Sequence, residues 1–210
     1  MHVVSPELNE YMLGLLPARD AVRKELEEYA RERNFPIVGP LVGNFFAQIA
    51  ALIGARRIME LGSGFGYSAL WFADALPEGG EIICTDGDGA NRERAEEAFR
   101  RAGVADRIRF HTGDALTLFA GIEGDFDLIF CDIDKHGYPD AFHAAWPRLR
   151  PGGVLLFDNA LWSGRMLEGD ESPDTRGVVE LNRLAFSTPQ CRASLVPIRD
   201  GLLLCTHQSG

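Results

Sequence analysis

The sequence has 210 residues, 46% hydrophobic and 25% charged, which suits one soluble domain with a substantial core. Its 31 acidic and 21 basic residues give a net charge of -10, which disfavours a large nucleic-acid-binding face because such a face needs clustered basic residues. The N-terminus lacks the basic end and apolar core of a signal peptide. We therefore expect a cytoplasmic protein whose four scattered cysteines are reduced.

The first part of the chain predicts helices. Residues 6–34 mix charged residues with Val22, Leu26 and Tyr29 at helical spacing, and residues 41–53 form an apolar helix. The apolar stretch around that second helix also contains Gly, Pro, Asn and Gln, so we expect a loop and a packed helix and no membrane span. The N-terminal segment is longer than a core domain needs. We expect it to cover a functional site or to form a homodimer contact.

After this segment, short apolar runs alternate with helical patterns. Strands are predicted at residues 56–61, 80–86, 107–114, 126–132, 152–159, 192–198 and 201–206. Helices are predicted at residues 67–76, 91–103 (with Asn91 as N-cap), 140–149 and 175–186. This alternation indicates an α/β fold: a Rossmann-like doubly wound sheet, mostly parallel, with an antiparallel C-terminal edge hairpin and helices on both faces. Residues 35–210 are expected to form one domain after the helical segment 1–34.

A glycine-rich turn follows the first predicted strand. Gly62, Gly64 and Gly66 precede a helix, and in a doubly wound sheet ligands bind at this end of the strands. Tyr67 stands where a dinucleotide fingerprint would need glycine, so a pyrophosphate cradle is disfavoured. The alternative is a tight strand–helix turn with no ligand.

Acidic residues also follow these strands. Asp86 lies about 20 residues beyond the glycines, the position from which a carboxylate binds a ribose diol. Glu60, just before the turn, is placed to meet an ammonium group. Ribose without pyrophosphate, together with an acidic rim, favours S-adenosylmethionine. The alternative is that Asp86 or Asp88 only caps the next helix.

A third group of polar residues ends the fourth and fifth strands. Asp132 ends one strand and Asp158–Asn159 the next, and their hard oxygen ligands suit Mg²⁺ or Ca²⁺. Lys135, three residues after Asp132, is placed to act as a base near such a cation. The alternatives are loop hydrogen bonds for the carboxylates and a solvated surface position for the lysine.

Six stretches in order carry a family resemblance: "ELGSGFGYS", "TDGD", "GDA", "FDLIFCDIDK", "FDNALWSG" and "RDGLLLC". The sequence resembles the metal-dependent O-methyltransferases, the catechol and caffeoyl-coenzyme-A O-methyltransferase family with its short bacterial members, over about residues 35–206. The motif D-x-x-K, here Asp132 to Lys135, followed later by D-N, here Asp158–Asn159, is the part of the resemblance that is specific to this family. The resemblance makes residues 35–210 a methyltransferase domain.

The resemblance implies roles for individual residues. Asp132, Asp158 and Asn159 match the metal ligands, with Mg²⁺ first and Ca²⁺ or Mn²⁺ as alternatives. Lys135 matches the general base and acts with Asp132 in catalysis, while Lys135, Asn159 and Trp162 lie toward the acceptor. The positions implied around the methyl donor are Val38, Glu60, Gly62, Gly64, Gly66, Tyr67, Ser68, Asp86, Gly87, Asp114, Ala115, Asp132 and Asp134.

The expected function is methylation of a small vicinal-dihydroxy aromatic acceptor, such as a catechol or a caffeoyl-type phenol. The residue near Ser194 is not the carboxylate that animal catechol enzymes place there, and the segment after Trp162 differs from that of the plant enzymes, so the acceptor stays open. One alternative is hydroxyuridine methylation in tRNA through a basic patch at Arg92, Arg94, Arg100 and Arg101. Others are a nucleotide-binding module without catalysis and, disfavoured by Tyr67, an NAD-linked dehydrogenase. His136 is expected at the surface or rim.

Overall fold

The computed structural model of the protein describes residues 4–208 and has a seven-stranded sheet at its centre. The strands are β1 (Arg57–Leu61), β2 (Glu81–Asp86), β3 (Ile108–Thr112), β4 (Phe126–Cys131), β5 (Leu149–Phe157), β6 (Cys191–Val196) and β7 (Leu202–His207). Their order is β3-β2-β1-β4-β5-β7-β6, parallel from β3 to β5, with β7 antiparallel to both of its neighbours. The predicted sheet with an antiparallel C-terminal pair at its edge is confirmed, and the reversed strand β7 lies one place inside that edge.

Helices cover both faces of the sheet, as predicted. They are α1 (Pro6–Leu15), α2 (Ala21–Arg33), α3 (Gly39–Leu52), α4 (Tyr67–Ala75), α5 (Gly89–Arg101), α6 (Ala115–Ala120), α7 (Tyr138–Ala145) and α8 (Pro173–Ser187). The predicted helical segment 6–34 is two helices, because Pro17 interrupts it and the Asp20 side chain caps α2. Helix α6 was not predicted, because its six residues are too few to show a helical period.

Two predicted element boundaries are wrong. The N-cap of α5 is Asp88, which accepts a hydrogen bond from the Ala90 N–H at 2.8 Å, so Asn91 lies inside the helix. The helix predicted at 140–149 ends at Ala145, because a short 3₁₀ turn follows and β5 already begins at Leu149. The capping role foreseen for Asp88 as an alternative is confirmed.

The core lies in two layers, one on each face of the sheet. On β1, Ile58 faces the layer under α2 to α5, and Met59 faces the layer under α6 to α8. Phe46 stacks on Phe72 at 5.0 Å between ring centroids, with Phe130 of β4 beneath them. Burying each such side chain contributes roughly 1.5–3 kcal/mol. Strands buried on both faces need unbroken apolar runs, as this sequence has.

The two N-terminal helices differ in how they pack. Val22, Leu26 and Ala30 of α2 are buried in the core, and Arg23 donates a hydrogen bond to the Leu70 carbonyl at 2.6 Å. No residue of α1, a helix within the described part of the chain, is buried. No helix among residues 4–208 is long and apolar enough to span a membrane.

Candidate active site

A cavity of about 830 Å³ opens at the carboxyl ends of the parallel strands. The predicted site residues that line it are Val38, Gly62, Gly64, Tyr67, Ser68, Asp86, Gly87, Asp114, Ala115, Asp132, Asp134, Lys135, Asn159 and Trp162. Three further predicted residues, Glu60, Gly66 and Asp158, are buried behind this wall. The fold therefore brings residues from five strand ends to one cavity.

The glycine turn after β1 approaches the strand next to it. Gly62 has φ +83°, and a Cβ there would lie 2.5 Å from the Asp132 carbonyl oxygen. Gly66 has φ +80°, and a Cβ there would meet the Phe99 ring at 2.5 Å. Both positions need glycine because an L side chain is strained at such φ values and has no room.

Asp86 holds this turn in place from the end of β2. Its Oδ2 accepts a hydrogen bond from the Gly64 N–H at 2.9 Å, and its Oδ1 accepts from the Asp88 N–H at 2.9 Å and from Asn91 Nδ2 at 3.0 Å. A carboxylate has about four acceptor positions, so one position is left for a ligand. Asp86 is therefore an oriented acceptor on the cavity wall.

Glu60 is fully buried beneath the cavity. It accepts hydrogen bonds from the Ser68 hydroxyl and, at 3.4 Å, from the Cys84 thiol. Burial is the largest effect on this carboxyl and raises its pKa to about 7, with a small contribution from the charge of Asp132. Ser68 lines the cavity and donates its hydroxyl hydrogen to Glu60, so Glu60 fixes the position of this wall residue without lining the cavity itself.

Lys135 and Asp132 form a close pair at the end of β4. Lys135 Nζ donates to Asp132 Oδ1 at 2.6 Å and to the Ile133 carbonyl at 3.2 Å. The lysine side chain is only 11% exposed, and its Nζ lies 5.0 Å from the centroid of the Tyr138 ring. The alternative of a solvated surface lysine is therefore wrong.

Asp158 follows β5, next to Asp132 in the sheet. The two residues are neighbours because Cys131 pairs with Phe157, and the Asp158 N–H donates to the Cys131 carbonyl at 3.2 Å. The Asp158 side chain is fully buried, and its Oδ2 accepts from Arg199 Nη1 at 2.7 Å. Its Oδ1 is buried with no hydrogen-bond partner among residues 4–208. Burial, and next the charge of Asp132, raise the pKa of Asp158 to about 6.

Asn159 completes the predicted ligand set. Its φ is +54°, in the left-handed region, and its Nδ2 donates to Asp200 Oδ2 at 3.3 Å. Within the described residues, no three His, Cys, Asp or Glu side chains cluster in a way that would hold a metal ion. The predicted set instead offers two carboxylates and one amide oxygen, all hard donors. The unpartnered buried oxygen of Asp158 fits a divalent cation, because a buried acceptor without a partner costs free energy.

Trp162 forms part of the cavity wall toward α8. Its Nε1 donates to the Thr175 hydroxyl at 3.0 Å, and that hydroxyl donates to Asp170 Oδ2 at 2.6 Å. Hydrogen bonds from Thr175 and then Ser172 hold the pKa of Asp170 at about 2. The polar stretch 168–175 is thus tied to Trp162 by hydrogen bonds.

Three charged residues on the wall were not assigned from the sequence: Asp140, Asp174 and Arg199. His136 lies at the exposed rim, as expected, and its ring nitrogen Nδ1 is 3.1 Å from Asp174 Oδ1. Arg199 lies in the stretch "RDGLLLC", in the turn before β7, and this stretch carried the family resemblance without giving the arginine a role. No local pattern shows that Asp174, the second residue of α8, reaches a loop nearly 40 residues earlier.

A family model described as O-methyltransferase matches residues 19–208. The chain belongs to the O-methyltransferase family. The predicted family and the predicted enzyme class are thereby confirmed. The match begins just before α2, so this helix, which packs in the core, lies inside the family region.

Curated relatives and solved structures agree with this assignment. The chain is 32% identical to the caffeoyl-CoA O-methyltransferase of Eucalyptus gunnii, over 96% of this chain and 87% of that protein. It is 27% identical to an O-methyltransferase from Bacillus cereus solved with SAH (TM-score 0.88, 96% of this chain and 97% of that chain). It is also 27% identical to the O-methyltransferase TomG from Streptomyces achromogenes, solved with SAM (TM-score 0.89, 97% and 96%).

Three of the four arginines in the basic patch considered for tRNA pair with glutamates in this O-methyltransferase. Arg92 pairs with Glu96 at 2.7 Å, and Arg101 pairs with Glu25 at 2.7 Å. Arg100 pairs with Glu97, and the Arg94 guanidinium lies 3.5 Å from the centroid of the Tyr29 ring. Such pairing leaves little free positive charge for a phosphate backbone.

Proposed function

We propose that this O-methyltransferase transfers a methyl group from S-adenosylmethionine to one hydroxyl of a vicinal-dihydroxy aromatic molecule, a catechol or a caffeoyl-type phenol, with a divalent metal at Asp132, Asp158 and Asn159. The observation that carries the proposal is the buried, unpartnered Oδ1 of Asp158 beside the Asp132–Lys135 pair, within the part of the chain that the structure describes. The relatives named caffeoyl-CoA O-methyltransferase support the choice of acceptor.

The methyl donor fits the wall formed by the glycine turn and Asp86. In our assignment Asp86 accepts a hydrogen bond from one ribose hydroxyl at its remaining acceptor position, and the backbone at Gly62 and Gly64 allows close approach. Asp114 and Ala115 lie beside the adenine. The relatives solved with SAM or SAH support this donor.

The acceptor fits the opposite wall, beside Lys135 and Trp162. A divalent cation, with Mg²⁺ first and Ca²⁺ or Mn²⁺ as alternatives, would supply a Lewis acid that stabilises a phenolate. Lys135 Nζ accepts the proton of the reacting hydroxyl once the amine has released its own proton to solvent, and its contact with Asp132 Oδ1 positions it to do so. The acceptor oxygen then attacks the methyl carbon directly: the O–C bond forms as the bond from that carbon to the sulfonium sulfur breaks, and S-adenosylhomocysteine is released. Much of the rate comes from holding the oxygen, carbon and sulfur in line. Trp162 restricts the orientation of the aromatic ring.

Acceptor geometry gives the sharpest test. We expect methylation of catechol and caffeate, whose hydroxyls are adjacent, and turnover at least about 100-fold lower with resorcinol, whose hydroxyls are not. Mass spectrometry of the products with S-adenosylmethionine and Mg²⁺ measures this. Equal turnover of catechol and resorcinol would refute the vicinal acceptor, and methylation of tRNA in place of both would support the alternative acceptor.

A homodimer and a cytoplasmic location remain proposals. The apolar residues that α1 exposes, Leu8, Tyr11 and Leu15, support an association of this helix with a second copy. Sizing chromatography combined with light scattering tests it, and a strict monomer at working concentration would refute the dimer.

A further inference from the structure

Arg199 is a charged residue of this site that the proposed chemistry leaves without a role, and of these it is the one in contact with a proposed metal ligand. It lies in the turn between β6 and β7 with φ +53°, a left-handed conformation uncommon for a residue other than glycine. Its Nη1 lies 2.7 Å from Asp158 Oδ2, while its side chain also lines the cavity. The arginine side chain is 35% exposed and that of Asp158 only 1%, so the guanidinium has access to solvent while the carboxylate has none.

Without a metal, each of the two proposed carboxylate ligands is paired with a basic side chain. Asp132 is paired with Lys135, and Asp158 is paired with Arg199, which gives two negative and two positive groups. The nearby Asp200 accepts hydrogen bonds from Asn159 and from the Ser163 backbone. A divalent cation entering this site would therefore meet two resident cations.

The contact between Arg199 and Asp158 leaves half of the carboxylate unused. A structural Arg–carboxylate pair is commonly bidentate, with both carboxylate oxygens bonded. Here Arg199 contacts Oδ2, and Oδ1 is buried without a partner in the described residues 4–208. The carboxylate thus keeps one oxygen for a second positive group.

We propose that Arg199 is a resident counter-ion of Asp158 that opposes the binding of a divalent cation to the free Oδ1 of this carboxylate, because the guanidinium held on Oδ2 repels a second positive group. The inference rests on the proposed function in one respect, that Asp158 is a metal ligand. Arg199 then acts through Asp158 as a positioning residue: it keeps the buried charge neutral without metal and weakens metal binding by the same coupling.

Metal titration tests this directly. Metal-free wild-type protein and the Arg199→Gln variant are titrated with Mn²⁺ by calorimetry and by electron paramagnetic resonance. Removing one positive charge at contact distance is expected to tighten Mn²⁺ binding about tenfold or more. Arg199→Lys, which keeps the charge without the guanidinium geometry, is expected to lie between them. Unchanged or weaker binding by Arg199→Gln would overturn the proposal.

Arg150→Gln is the matched control. Arg150 pairs with Asp127 at the other end of the strands, and its side chain is 37% exposed, close to the 35% of Arg199. Its loss is expected to leave Mn²⁺ affinity unchanged. In thermal unfolding, Arg199→Gln should be less stable than wild type in EDTA and regain the difference with Mn²⁺, whereas Arg150→Gln should regain nothing. If Arg199→Gln does not fold, Arg199→Lys decides: affinity no tighter than wild type would overturn the proposal.

Failure of the inference about Arg199 can be distinguished from failure of the proposed function. If every variant binds Mn²⁺ with equal affinity, this inference alone fails. If neither wild type nor variants bind Mn²⁺, Mg²⁺ or Ca²⁺, both this inference and the proposed metal fail. If Arg199→Gln binds more tightly and no dihydroxy aromatic is methylated, the inference stands and the proposed acceptor fails.

Discussion

The two sides of the cavity are built in different ways. The donor side, the glycine turn with Asp86, is fixed by backbone geometry: positive φ at Gly62, a close approach to the next strand, and the Gly64 N–H on Asp86. The proposed metal side, Asp132, Lys135, Asp158 and Arg199, is held by pairs of charged side chains. Backbone geometry permits one arrangement, whereas charged pairs can exchange partners. We therefore expect donor binding to be independent of metal, and catalysis to depend on how the charges are paired.

The largest expected effect is on the metal side. Lys135→Ala should lower turnover by about 10²- to 10⁴-fold, because general acid–base catalysis contributes about that much. S-adenosylhomocysteine affinity should stay unchanged, since the donor side is untouched. Steady-state kinetics and calorimetry measure the two effects. Lys24→Ala, at an exposed position of α2, is the control, and full turnover by Lys135→Ala would refute the role of Lys135 as a base.

The buried carboxyl of Glu60, beneath the donor side of the cavity, should make the free energy of unfolding depend on pH. The unfolded carboxyl loses its proton near pH 4.5, but the buried one keeps it to about pH 7, so the folded state binds more protons between these values. This group therefore lowers the free energy of unfolding as pH rises through that window. Glu60→Gln removes the decline, so its stability relative to wild type should rise by an amount on the order of 3 kcal/mol from pH 4.5 to 7. Denaturant titrations at several pH values measure it, and a constant difference would contradict the raised pKa.

The glycine turn is tested by adding one methyl group. Gly62→Ala places a Cβ against the Asp132 carbonyl at positive φ and should destabilise the fold by roughly 2–3 kcal/mol. It should also weaken S-adenosylhomocysteine binding. Gly14→Ala on α1, where nothing lies within 4 Å of the added Cβ, should be neutral or slightly stabilising. Equal melting temperatures for the two variants would contradict the close approach.

The smallest expected effect comes from one charge on the donor side. Asp86→Asn should weaken S-adenosylhomocysteine binding by about ten- to a hundredfold, the effect of losing a charged acceptor. Asp88→Ala, which removes the cap of α5, should cost about 1 kcal/mol of stability and leave that affinity within a few-fold. Calorimetry on both variants separates binding from capping. If Asp88→Ala lost more affinity than Asp86→Asn, the donor contact would belong to Asp88 and our assignment to Asp86 would be wrong.

The sequence predicts the glycine turn with Asp86 better than it predicts the partner of Asp158. Gly62 and Asp86 can be identified because positive φ values and strand-end carboxylates leave residue-type signals at fixed spacing. Arg199 could not be assigned because its partner Asp158 is 41 residues away, and no local pattern encodes that contact. The cap of α5 was misplaced at Asn91 for a smaller reason, since two polar residues near the helix start satisfy the same rule. The short helix α6 gave no periodic signal at all.

The most direct measurement compares the two sides on one sample. S-adenosylhomocysteine is titrated into the protein in Mg²⁺ and in EDTA, and methylation of catechol and caffeate is measured under the same two conditions. We expect equal S-adenosylhomocysteine affinity in Mg²⁺ and in EDTA, and methyl transfer only with Mg²⁺. Undiminished methyl transfer in EDTA would contradict it.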